Sequence, residues 1–283
     1  RDALVALSEL YERRGEWEPL FGVLSRLADG ESTGEGRAVI QRRMAVLAEE
    51  KLDNVENAIA LWDEVSRVET ADVVALRNLQ RLYAGRQDWT SFVESCDREL
   101  PLVVEDQTRS GELLRSIAKV AEVELGDTFQ AQSAWVRILE MSPREMDALQ
   151  ALRRLYRESG DSQSLWRILE SLVDTGLIGG DELKALEREL AELLTSDLRK
   201  LDEAIIWWNR LLEISEDDLE ALKKLEGLYD ETGRFNECVE VIKRIVAMTP
   251  DARQQADMLT RAADIQADQM KDLAAAASTL QSV

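Results

Sequence analysis

The chain has no histidine, two cysteines, four prolines and fourteen glycines in 283 residues, and each shortage excludes something. Without histidine, the commonest general base and the commonest metal ligand are gone. Cys96 and Cys238 lie 142 residues apart, which is neither a disulfide framework nor the close pairing of structural zinc ligands. They read as small buried apolar side chains. Little glycine and proline means little turn chemistry for a many-stranded protein, so helices are expected. No run approaches the roughly 20 apolar residues that span a bilayer, so no membrane insertion is expected. Basic surplus is missing too: 35 Lys and Arg stand against 56 Asp and Glu, a net charge of −21 that argues against a phosphate-binding face and hence against nucleic acid. There is no Gly-rich phosphate loop and no G-x-S-x-G elbow, and carboxylates are so frequent that pairs of them discriminate nothing. No catalytic residue, cofactor or metal is expected. The chain opens at Arg1 already on a helical pattern and reads as a fragment of a longer polypeptide; a cytoplasmic setting is the expectation.

What is present is periodic. At 45% apolar and 32% charged residues the chain is able to bury a core and stay dissolved. Its four tyrosines are Tyr11, Tyr83, Tyr156 and Tyr229, spaced 72, 73 and 73 apart. Each ends one phrase: ALVALSELY, ALRNLQRLY, ALQALRRLY and ALKKLEGLY. Leucine at every third position puts three leucines and the tyrosine along one helical stripe. Trp62, Trp135 and Trp208 share the 73-residue period, each four residues after Ala58, Ala131 or Ala204; extension reaches Ala277 and Gln281, where the tryptophan is lost. Arg42, Arg115, Arg188 and Arg261 form a third series of the same period. Three markers with one period describe a repeat array.

The period divides unevenly. Leu20, Phe92, Leu165 and Cys238 match the alanine series, 34 residues after an alanine and 38 or 39 before the next. Eight helical hairpins follow, alternating a 34-residue step with one four or five longer. The extra residues fall near 29–37, 101–111, 174–181 and 247–253, where half of the glycine and proline gathers.

These units resemble tetratricopeptide repeats, whose pattern W-x2-L-G-x2-Y, A-x3-F, P they match in part. Leu4, Leu7, Ser8 and Tyr11 occupy the first-helix sites, with Leu for Trp and Ser for Gly; Gly15 and Trp17 fit the turn and second-helix opening. Ala131, Trp135 and Pro143, and later Pro250, fit the second-helix and terminal sites. Departures are the Leu, Phe or Cys in place of Ala in odd units, and Arg for Trp in even ones. The resemblance implies an all-α, right-handed α-solenoid of about eight hairpins, one array over 1–283 in double units 1–73, 74–146, 147–219 and 220–283, the last incomplete.

Local signals place the helix ends. Ser142-Pro143-Arg144-Glu145 reads as a capping box, and Thr249-Pro250 as a similar start. Gly15, Gly160 and Gly233, each four residues past a tyrosine, suit a left-handed helix end; at the corresponding Gln87 a different turn is expected. Glu49, Glu122, Thr195 and Asp268 lie seven residues after the arginine series, so three of the four arginines have a carboxylate to pair with. Two readings are open for the arginines: recurrent structural ion pairs or an anion-binding ladder. Trp166 and Trp207 stand one residue out of the core register, either as packing or as contact surface.

The resemblance also implies that the first helix of each hairpin lines a concave groove. Six and two residues before each tyrosine, the groove-facing positions are Val5 and Glu9, Arg77 and Arg81, Gln150 and Arg154, and Lys223 and Gly227. Four of the eight are basic, which points to an acidic segment or a carboxylate held by arginine forks, or to solvated cations paired with neighbouring glutamates. The full carboxylate-clamp set of chaperone-tail binders is not reproduced. The function expected is a non-catalytic scaffold for other proteins or peptides. Alternatives are self-assembly through exposed repeat ends or a regulatory arm of a larger enzyme.

Overall fold

A computed structural model describes residues 1–68 and 72–281. The described residues form sixteen α-helices and no strand, in two compact units, Arg1–Pro143 and Arg144–Val283. The first unit holds α1 (Asp2–Arg14), α2 (Trp17–Asp29), α3 (Gly34–Glu50), α4 (Val55–Val68), α5 (Val73–Gly85), α6 (Trp89–Glu99), α7 (Gln107–Val120) and α8 (Thr128–Met141). The second holds α9 (Met146–Ser159), α10 (Ser162–Asp174), α11 (Gly180–Ser196), α12 (Leu201–Ile214), α13 (Leu219–Glu231), α14 (Phe235–Met248), α15 (Ala252–Asp264) and α16 (Leu273–Leu280). Within each unit every helix packs on the next in sequence. That nearest-neighbour succession of hairpins is the TPR-like architecture expected.

Two kinds of turn alternate. In odd hairpins a positive φ at Gly15, Gln87, Gly160 or Gly233 reverses the chain. The next N–H then bonds back five residues to the carbonyl of the marker tyrosine: Glu16 to Tyr11, Asp88 to Tyr83, Asp161 to Tyr156 and Arg234 to Tyr229, at 2.8–3.0 Å. Gln87 therefore makes the same turn as the glycines, and Gly85 is helical. In even hairpins the positive φ falls on Asp53, Gly126, Arg199 and Lys271, and the closing bond spans six residues: Asn54 to Ala48, Asp127 to Ala121, Lys200 to Leu194, Asp272 to Gln266. This wider turn runs as π-helix over Ala121–Leu125 and Ile265–Gln269. The extra residues of the long step go partly into the links ahead of the even hairpins and partly into longer first helices, such as the 17-residue α3 and α11.

The tryptophan series forms the centre of the even hairpins. Trp62, Trp135 and Trp208 are all buried. Trp62 shares its cluster with Ala45 and Ala48 of α3 and with Leu76 and Leu79 of α5, so small residues on the preceding helix make room for the large ring. Burying such a side chain contributes about 1.5–3 kcal/mol. The tyrosines behave less uniformly: Tyr229 is buried, while Tyr11, Tyr83 and Tyr156 are half-buried.

Three sequence expectations are corrected. Ser142 does not open α9; it ends α8, and Glu145 is the residue before α9, with no side-chain cap. A residue that precedes proline is driven out of the helical region, so Ser142-Pro143 stops one helix instead of starting another. Thr249 likewise ends α14, and Asp251 caps α15 by accepting from the Gln254 N–H.

The third correction concerns register in the last hairpin. Buried Ala45, Ala118 and Ala191 keep the 73-residue period, but the next buried member is Ala263, one residue early. Lys271 and buried Ala276 follow one early as well, while Ala277 is exposed. One residue is therefore missing ahead of Ala263. Ala276 takes the alanine site and Leu280 the tryptophan site, in place of Ala277 and Gln281.

Two substitutions test this packing. Trp135→Ala should cost about 3–5 kcal/mol in urea melts. Trp208 donates its indole N–H to Thr195 Oγ1 at 3.1 Å, whereas the Trp135 N–H is buried without a partner. Trp208→Phe should therefore cost about 1 kcal/mol more than Trp135→Phe.

Candidate partner-binding face

The eight positions read as groove-facing are exposed in all four helices that end in a marker tyrosine. Val5 and Glu9 lie on α1, Arg77 and Arg81 on α5, Gln150 and Arg154 on α9, and Lys223 and Gly227 on α13. The alternation follows from helical geometry, because positions one residue from each buried leucine turn outward. The cations are not equally available. Arg81 makes a two-pronged contact with Glu49, which it holds below the ordinary glutamate range through that hydrogen bond. Arg154 faces Glu158 at 3.9 Å. Among the described residues Lys223 makes no ion pair, and with Lys224, Leu219 and Glu220 it lines an open cleft.

Arg77 is anchored from beneath. Its Nε donates to Glu99 at 3.1 Å, and Glu99 is fully buried. Arg109 binds the same carboxylate through two N–H groups at 2.8 and 2.9 Å, and Gln80 Nε2 donates to it at 2.7 Å. Burial pushes the Glu99 carboxyl up, but the hydrogen bonds from Arg109, Gln80 and Arg77 outweigh it and leave the group below the usual range. In the second unit, Glu187 is equally buried but poorly served. Arg210 Nε stands 2.8 Å from Oε1, out of line for a hydrogen bond, and neither oxygen accepts one. Burial holds its pKa above the ordinary value, with Arg210 offsetting only part of the shift.

Arg42, Arg188 and Arg261 do not pair along their own helices. Arg42 reaches across to Asp72, the N-cap of α5, at 2.7 and 3.0 Å, while the other Asp72 oxygen accepts the Ala75 N–H at 3.0 Å. Arg188 does the same with Asp218, whose free oxygen caps α13 at the Ala221 N–H, and also holds Glu220. Each arginine thus fixes a helix start in the following hairpin. Glu49 serves Arg81 and Thr195 serves Trp208, in place of the arginines seven residues before them. Arg115 and Glu122 are engaged as well. Arg261, shifted by the missing residue, occupies the place of Arg43. It binds Asp230 at 3.3 Å and Glu226 at 2.6 Å, as Arg43 binds Glu12 at 2.7 Å. Glu12 and Asp230 each follow a marker tyrosine directly. Asp268 is not its partner.

Trp166 and Trp207 are half-buried, each with a cation over its ring: Lys200 at 3.3 Å and Arg210 at 5.0 Å. Cys96 and Cys238 are buried. Burial pushes their thiols up to about 12 and about 11, so neither is a thiolate at neutral pH. Among the described residues no cluster of Cys, Asp and Glu is arranged to hold a metal, and no helix is long and apolar enough to cross a membrane.

The buried polar group around Glu99 was not anticipated from the sequence, although a signal for it exists. The sister positions of Glu99 are Leu172 and Ile245, both buried. Phe129, 80% exposed, likewise stands where sister repeats carry Glu56 and Asp202.

No family model and no curated protein sequence matches the chain. Among solved structures, it is similar to a tetratricopeptide repeat protein from Parabacteroides merdae, at 14% identity over 91% of this chain and 96% of that one, with a TM-score of 0.36. It is also similar to MamA, at 16% identity over 58% and 91% with a TM-score of 0.35, and to MamA AMB-1, at 19% over 62% and 88% with a TM-score of 0.38. At such scores the TPR-like assignment stands on the chain's own 73-residue period and hairpin geometry.

The two buried carboxylates give opposite pH signatures. The depressed Glu99 contributes stability that is complete above the unfolded glutamate value and is lost as pH falls through its folded value. Glu187, raised, favours the fold when protonated and loses that contribution as pH rises from the unfolded value through its folded one. Glu99→Gln should therefore lower the unfolding free energy from urea melts at pH 7 by about 3 kcal/mol, with the deficit closing in acid. Glu187→Gln should raise the midpoint at pH 7, with the gain shrinking as pH falls toward the ordinary glutamate range.

Proposed function

We propose that the chain is a non-catalytic protein-binding scaffold, whose odd-hairpin first helices present a partly basic stripe to acidic polypeptide segments. The observation that carries this reading is the common exposure of all eight stripe positions. Core demands explain Arg77, which holds buried Glu99, but not Lys223, whose exposed site in a chain of charge −21 has no packing reason to be cationic. Lys223 is available to a carboxylate directly. Arg81 and Arg154 must exchange Glu49 and Glu158 for the incoming group, which favours segments with several closely spaced acids over a single charge. Trp166 and Trp207 flank this chemistry as contact surface in the second unit. Partners are proteins or peptides, and no cofactor takes part.

The test is titration of an acidic 15-residue peptide against the triple variant Arg81→Glu, Arg154→Glu and Lys223→Glu. Arg77 is left intact, because it supports buried Glu99. A loss of tenfold or more in affinity is expected at low salt, and an unchanged Kd would discard the stripe.

A further inference from the structure

Between the first hairpin of a double unit and the first helix of the following hairpin lies a cleft that is found in both compact units. In the first unit it has a volume of about 430 Å³ and is built on Trp17 and Leu20 of α2 and on Val46 and Leu47 of α3. In the second it is smaller, about 260 Å³. There Leu165 and Leu193 keep the two leucine sites, but Ser162 replaces Trp17 and Glu192 replaces Val46. The backbone thus provides the cleft, and the sequence decides what it holds.

The charges are exchanged as well. Glu12 and Arg43 close one side of the first cleft, with Arg43 donating to Glu12 at 2.7 Å. At the matching sites of the second cleft Arg157 and Glu189 are bonded with the polarity reversed. Lys51 becomes Asp197. In the first cleft Lys51 stands 5.6 Å from the centroid of the Trp17 ring and makes no carboxylate contact among the described residues. An apolar floor, an indole wall and a cation at the rim are together in unit one, beside Glu50 and a Glu12 already held by Arg43, while unit two sets Glu189, Glu192 and Asp197 on the same frame. Val46, 42% exposed, has no packing reason to be apolar, since Glu192 serves the fold at that site.

We infer that the first cleft is a specificity pocket for one large apolar side chain of a partner segment whose flanking residues are acidic. The side chain lies against Trp17, Val46 and Leu47, and a flanking carboxylate meets Lys51. Charge complementarity selects this occupant: a basic segment would meet Lys51 and Arg42, whereas an acidic one finds in Lys51 a cation not already committed to a carboxylate. The inference rests on the scaffold reading above and names the side chain that such a partner needs.

The test uses the whole chain and three fluorescent pentapeptides, acetyl-Asp-Glu-Phe-Glu-Asp-amide, its Ala-for-Phe counterpart and its Lys-flanked counterpart. The acidic Phe peptide should bind at least tenfold tighter than either of the others. The double variant Val46→Glu, Lys51→Asp, which installs the side-chain types that unit two already carries, should lose tenfold or more. Lys51→Ala alone should lose severalfold while keeping the wild-type urea midpoint. The stripe variant Arg154→Glu, Lys223→Glu should stay within twofold for this short probe, so that the pocket and the stripe fail separately. Equal affinity for the Phe and Ala peptides, or an unchanged Kd in the double variant, would overturn the pocket. So would loss of the probe in the stripe variant alone, because the peptide would then be held at the stripe.

Discussion

Every hairpin in this chain leaves one apolar face that only a neighbour is able to cover. Thirty-four residues folded into two helices bury the seam between them and little else, so stability arises in the contacts between successive hairpins. The markers that make the sequence periodic sit at those contacts. Trp62 in the second helix of the first even hairpin fills the space left by alanines on the first and meets the leucines of α5. Where that cover is missing, as at Leu10 of α1, the same side chains lie open to solvent.

Polar chemistry is subordinate to this stacking and is arranged to reinforce it. Asp72 and Asp218 spend one oxygen on a helix N-terminus and the other on an arginine of the preceding hairpin. A single carboxylate thereby ties a local event, the start of a helix, to a long-range one, the register of two hairpins. Glu99 goes further, replacing what is leucine or isoleucine in sister repeats by a carboxylate bound to two arginines and a glutamine. Such a group is costly to bury and worth keeping only where its geometry is complete. Glu187 shows the incomplete case in the same molecule.

Much of the architecture was legible because the period is long and triply marked. Tyrosine, tryptophan and arginine spacings each located the hairpins, and the placement of links and turns followed. Helix starts were less legible. Ser142-Pro143 carries the composition of a cap yet ends a helix, since the stop imposed by proline on its predecessor outweighs the capping preference of serine. The arginine partners lie thirty residues away on another helix, and no rule of spacing within one helix reaches them. Arg261 matched the period in number but not in place, because a residue is missing ahead of it and every later packing position falls one early. The stripe was legible as exposed positions. Its ion pairs, and the cleft beside Trp17, depend on contacts between helices and emerge only once the hairpins are stacked.

The reversed Glu12–Arg43 and Arg157–Glu189 pairs have an implication for assembly during synthesis. Repeats so alike in outline invite the wrong neighbours to dock, since leucines and alanines would fit nearly as well out of order. A first hairpin seated against α11 would set Glu12 beside Glu189, and a fifth-position hairpin seated against α3 would set Arg157 beside Arg43. Either mismatch brings like charges together at a half-covered seam, so the two hairpins carry opposite keys and are discouraged from trading places.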